Sequence, residues 1–196
     1  MKRDIIDLHR RAVREFEGRV DPIGGDAWTR PTPCLDWDVR ALVNHVVGED
    51  RWTVPLLEGR TIAQVGDALD GDLLGDRPHH AAHEAMDAAV AAFAEPGVLD
   101  RTVHLSFGDA SAEEYAWQLF ADHLIHAWDL AAATDGDDRL DPALVDACAK
   151  WFVPMEETYR KAGVIGDRPD LPADADAQAR LLAAFGRDPR WASQWG

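Results

Sequence analysis

Apolar positions along this chain recur mostly at steps of three and four, the period of helices with one buried face. Ile5, Leu8, Ala12, Val13 and Phe16 mark a first helix over residues 3–18, ended by Gly18 and the run DPIGG. Residues 21–37 carry Pro22, Gly24, Gly25, Pro31 and Pro33 and read as loop, with Trp28 and Trp37 pinning it to the body. Asp36 or Asp38 then caps a second helix, DVRALVNHVVGEDRW, whose core stripe is Val39, Leu42, Val43, Val46 and Val47. Pro55, Gly59, Gly66, Gly71 and Gly75 make 52–77 an irregular segment and a candidate flap, with one turn of helix at 61–69. A third helix spans Pro78 to Glu95, its apolar face mostly alanine. LDRTVHLSFG, 99–108, alternates at Val103, Leu105 and Phe107 and reads as a short strand or extended link, not the basis of a sheet.

Ser111 and Glu114 form a capping-box pattern that starts the longest helix, SAEEYAWQLFADHLIHAWDLAAAT, ended by Gly136. It is apolar almost all the way round, which marks a buried helix. Gln118, Asp122, His126 and Asp129 nevertheless share a stripe of roughly 80° at about 100° per residue. Residues 141–163 follow as a helix that Pro154 breaks or kinks, then a loop over 164–176 and a short last helix over 177–189. Four long helices and one short extended segment predict an all-α fold, an antiparallel four-helix bundle with a small C-terminal helix, in one domain over 1–196.

The chain has 196 residues, and its 36 acidic against 20 basic residues give a net charge of −16, which argues against nucleic acid or an anionic membrane as partner. Two cysteines, Cys34 and Cys148, lie far apart and outside any CxxC, so a reduced, cytoplasmic setting without disulfides is expected. The N-terminus lacks the apolar core of a signal peptide, and no stretch nears the ~20 apolar residues of a membrane span.

The polar stripe of the longest helix carries the candidate chemistry. A buried carboxylate and imidazole need partners. Asp122 and His126, at i and i+4, bring two donors over one point beside the helix, close enough for a single divalent ion. Asp129 is placed to accept from the free N–H of His126, and Gln118 is a further supporting position. A buried polar network without metal fits the same periodicity. His45, on the second helix in a row with Ala41, Glu49 and Trp52, lies about 100° from that helix's core stripe and faces either a cavity or solvent. His123 stands about 100° from the polar stripe, a structural residue or a reserve ligand. His9 reads as a partly buried or surface histidine, and the pair His79 and His83 as solvated rather than chelating.

The segments WTRPTPCLDWDVRALVNHVVGE (28–49), ADHLIHAWDLAAATDG (121–136) and LLAAFGRDP (181–189) resemble the DinB-like superfamily. Within it they resemble the branch of the mycothiol-dependent maleylpyruvate isomerase N-terminal domain and its single-domain metal-binding relatives. The resemblance implies a four-helix bundle holding a divalent metal, usually zinc, on a histidine of the second helix and a carboxylate-x-x-x-histidine pair of a later one. Matched residue by residue, these are His45, Asp122 and His126. Two departures stand out: the isomerase has glutamate where this chain has Asp122, and its C-terminal catalytic domain is not expected here.

Three ligands leave a coordination position open, the mark of catalytic rather than structural zinc, and Ni2+, Fe2+ or Mn2+ suit the same donors. The expected function is a zinc-dependent thiol S-transferase or isomerase, with mycothiol as co-substrate, acting on small thiols and electrophiles, and a homodimer is allowed. The alternatives are a non-enzymatic metal-binding or stress-related protein and a metal-dependent hydrolase. Arg187, Glu49 and Gln118 are candidate acids, bases or clamps.

Overall fold

The computed structural model describes residues 2–191, in which helices dominate and one small two-stranded sheet is added. The first helix, α1 (Lys2–Val20), runs past Gly18 rather than stopping there. Val20 is fully buried, and its burial outweighs the roughly 1 kcal/mol that glycine costs inside a helix. The next, α2 (Val39–Leu57), is capped by Asp38, which accepts from the Ala41 N–H. It carries its helical course through Pro55, longer than the sequence pattern indicated, because Leu56 and Leu57 bury their side chains there.

A single turn, α3 (Ile62–Val65), is closed by a reciprocal capping box between Thr61 and Gln64. The candidate flap around it is tied down. Asn44 of α2 accepts from the Leu73 N–H and donates to the Gly71 carbonyl, Arg40 binds Asp72 and Gly75, and Leu74 is buried. Then α4 (Pro78–Phe93) lies against α1 and α2 through Ala81, Ala82, Ala85, Met86, Ala89 and Phe93, all buried. Its alanine face is therefore a packing surface, where small side chains let neighbouring helices approach closely.

The extended segment is one half of a hairpin. Strand β1 (Thr102–Leu105) pairs antiparallel with β2 (Gly108–Ser111), with Thr102 opposite Ser111 and Val103 opposite Ala110. GDAS has no apolar alternation to announce a strand, since its pairing rests on the backbone. Phe107 stands exposed at the hairpin tip instead of joining Val103 in the core.

The longest helix, α5 (Ala112–Ala133), starts at Ser111, whose hydroxyl accepts from the Glu114 N–H. The return half of the expected capping box is replaced, because the Glu114 carboxylate takes a bond from the Trp151 indole. α5 packs chiefly on α1 and also on α2 and on α6 (Pro142–Phe152). Pro154 ends α6, and a separate α7 (Glu156–Lys161) follows. The last element, α8 (Ala177–Ala184), packs on α6. The core between α1, α2, α4 and α5 is closed by Phe16, Leu42, Val46, Phe93, Phe120, Leu124 and Trp128. No helix among the described residues is long and apolar enough to cross a membrane.

Candidate metal centre

Helix geometry brings Asp122 and His126 one turn apart on α5, and the packing of α2 on α5 adds His45. Asp122 Oδ1 lies 3.3 Å from His126 Nε2 and 3.5 Å from His45 Nε2, and one ligating atom from each residue falls within 4.8 Å of the others. Ligands about 2.1 Å from a tetrahedral ion stand about 3.4 Å from one another, so these spacings fit a divalent metal. Asp122 Oδ2 is buried and has no hydrogen-bond partner among the described residues, which leaves the carboxylate unsatisfied without an ion. His45 and Asp122 retain 29% and 27% side-chain exposure while His126 keeps 7%, so the cluster opens to solvent on one side only.

A chain of hydrogen bonds fixes His126. Its Nδ1 lies 2.9 Å from Asp129 Oδ2, which directs Nε2 toward Asp122. Asp129 is fully buried and is held in turn by Arg187, whose Nε and Nη2 donate to its oxygens at 3.0–3.2 Å. Arg187 also donates to the Phe185 carbonyl and to Cys34 Sγ. It reaches this position because Gly186 turns the chain at a φ of 76°, and a Cβ there would lie 2.8 Å from the Gly166 carbonyl oxygen.

The electrostatics follow from these contacts. Burial pushes the Asp122 carboxyl up, but His126 and His45 outweigh it and hold it well below the usual carboxylate range. Burial lowers His126, and Asp122 and Asp129 override that and raise it to about 9. Burial also opposes the ionised form of Asp129, and Arg187 and His126 together pull its pKa down. Glu49, one turn beyond His45, is raised by burial and by the charge of Asp122, against the pull of His45. The Cys34 thiol is pushed up by burial, and Arg187 only partly offsets it.

Trp37 walls the site, with its ring 4.7 Å from that of His45 and 5.9 Å from that of His126. Its place in a Pro-rich loop gave no periodic signal of this. The remaining candidates lie elsewhere. Gln118 stands beside Glu114 and Tyr159, whose pKa values it lowers against burial, rather than at the cluster. Arg187 reaches Asp129 and not the three ligating atoms. His79 contacts the Ile23 carbonyl, and His83 meets Glu17 and Asp21, so the two serve separate partners. His123 turns away toward Asp50.

The family model for the mycothiol maleylpyruvate isomerase N-terminal domain matches residues 9–131. The chain belongs to this family. The match spans α1 to α5 and so includes His45, Asp122, His126 and Asp129, whereas Arg187 lies beyond it. Two uncharacterized proteins of Mycobacterium tuberculosis, one from each of two strains, are each 32% identical to this family member over 195 residues, covering 95% of its chain and 100% of their own. No solved structure matches.

Proposed function

We propose that the chain holds one divalent ion on His45, Asp122 and His126 and uses it to present a small thiol of the mycothiol class to an electrophile, in an S-transfer or isomerisation. The observation that carries this reading is the Asp122 carboxylate, which faces two imidazole nitrogens at ligand spacing and keeps a buried oxygen without a partner. Zinc is the ion favoured by two histidines and a carboxylate, with Ni2+, Fe2+ and Mn2+ as competitors for the same donors. An ion with an open position supplies Lewis acidity and lowers the pKa of a thiol that takes that position.

The chain's own residues supply the rest. Asp129 and Arg187 orient His126, and Trp37 keeps water from one side of the cluster. Glu49, with its raised pKa, is the group assigned to proton transfer. A cleft of about 660 Å³ bordered by Thr32, Leu35, Asp36, Trp37, Asp38 and Ala41 meets the site at Trp37 and is the assigned place for an electrophile. In this reading the four long helices form a DinB-like antiparallel four-helix bundle, 1–196 is one domain, and the protein works in the cytoplasm on small molecules, without nucleic acid or membrane. A homodimer is compatible with this assignment.

Elemental analysis of purified protein tests the site, because His126→Ala should lower the metal content by about one equivalent per chain. Unchanged metal in that variant would refute it. Metal-loaded protein is then incubated with mycothiol and electrophilic substrates, and products are followed by mass spectrometry. Thiol adducts or isomerised product are expected. Stoichiometric metal without turnover would leave a non-enzymatic metal-binding protein.

A further inference from the structure

A second cluster lies about 100° further round α5, deeper between it, α1 and α2. His9 of α1, Asp50 of α2 and His123 of α5 bring one ligating atom each to within 4.8 Å of one another. All three are buried, at 1%, 0% and 0% exposure. Burying a carboxylate is costly unless something compensates it. Here the hydrogen bonds do not suffice. His123 Nδ1 lies 2.8 Å from the Leu119 carbonyl oxygen and so must donate to it. In the neutral ring this turns the bare lone pair of Nε2 toward Asp50 Oδ2, at 3.2 Å. Two acceptors facing each other require a cation between them. A proton on His123 would meet that one contact and no other. It leaves His9 Nε2 and Asp50 Oδ1 buried without hydrogen-bond partners among the described residues.

We propose that His9, Asp50 and His123 form a second divalent-metal site, closed to solvent and structural in role, distinct from the cluster of His45, Asp122 and His126. One ion serves all three unsatisfied donors at once. The donor set of two imidazoles and a carboxylate suits Zn2+, with Co2+ or Ni2+ as substitutes. His9 is a ready ligand, since burial keeps its ring neutral. Its ring packs edge-on against Phe93 and His123, which fixes its orientation. Tetrahedral ligands stand about 3.4 Å apart, and the ligating atoms here lie within 4.8 Å of one another. An ion here would clasp α1, α2 and α5, the last two of which also carry the first site.

The test is metal stoichiometry of the full chain. Protein stripped with a chelator is titrated with Co2+, followed by its visible absorbance, and with Zn2+ against a competing chelator. Wild type should saturate at about two equivalents. His9→Phe, which keeps the ring volume and touches none of His45, Asp122 and His126, should saturate at about one. The double variant His45→Ala/His126→Ala should also retain about one, and adding Asp50→Asn should remove it. A wild-type stoichiometry of one that His9→Phe leaves unchanged would overturn the proposal. So would a His45→Ala/His126→Ala protein that binds no ion. Should His9→Phe fail to fold, as judged by circular dichroism, the His45→Ala/His126→Ala protein decides alone. The two sites fail separately: retention of all wild-type metal by that double variant refutes the first site, whatever the buried trio does.

Discussion

Replacing Arg187 by leucine removes the permanent cation that faces the fully buried Asp129 carboxylate and leaves His126, charged only while protonated. Three donor contacts of 3.0–3.2 Å disappear, and among the described residues His126 alone still bonds the carboxylate. Removing one partner of a buried ion pair costs about 3–5 kcal/mol, mostly because the other charge is left uncompensated. In a domain of this size about 1 kcal/mol shifts the melting temperature by roughly 2–4 °C, so a fall of about 6–20 °C is expected. The acid limb gives an independent reading. Asp129 has a depressed pKa in the native state, so its contribution is present above the unfolded pKa and is lost as pH falls through the folded one. Without Arg187 the largest force depressing that pKa is gone and burial lifts it, so Arg187→Leu should unfold at a higher pH on acidification. The same change frees His126 to reorient and should weaken metal binding about 10–100-fold. Thermal and acid unfolding followed by circular dichroism, beside Asp129→Asn and the double variant, measure the coupling. A melting temperature within about 2 °C of wild type, with an unmoved acid midpoint, would refute the account of Arg187 as the anchor of the site.

Gly186→Ala places a Cβ 2.8 Å from the Gly166 carbonyl oxygen at a left-handed φ, so it should cost about 1–3 kcal/mol in urea unfolding and weaken metal binding with it, whereas Gly18→Ala, which meets nothing within 4 Å, should not weaken it. In His9→Phe protein, where only the first site is read, metal uptake must displace the proton that Asp122 and Asp129 hold on His126 up to about pH 9. Apparent affinity should then rise about tenfold per pH unit from pH 7 and level off above 9, with release of about one proton in calorimetry at pH 7. Absence of proton release would contradict that charge state.

Much of the architecture was legible along the chain because helical periodicity is local. The buried stripe of α2 and the apolar girdle of α5 are where three- and four-residue spacing put them. Boundaries read from single residues fared worse. Gly18 and Pro55 sit inside helices, since the burial of Val20, Leu56 and Leu57 outweighs a local preference. The hairpin was half visible, because GDAS pairs through its backbone and leaves no side-chain signature.

For the candidate site, the sequence by itself determined the i, i+4 pairing of Asp122 with His126 and the three-residue step to Asp129, for a helix fixes the angle between its own side chains. It also marked His45 as out of its helix's core stripe. Only the tertiary structure decided which neighbour each of these side chains would meet. Arg187 comes to Asp129 across 58 residues of chain, Trp37 folds from a loop over two imidazoles, and Gln118 turns to Tyr159 instead of the cluster. His9 and His123, unremarkable on their separate helices, meet over Asp50. Spacing along a helix sets direction within that helix alone, whereas which directions converge is set by how α1, α2 and α5 bury their apolar faces against one another.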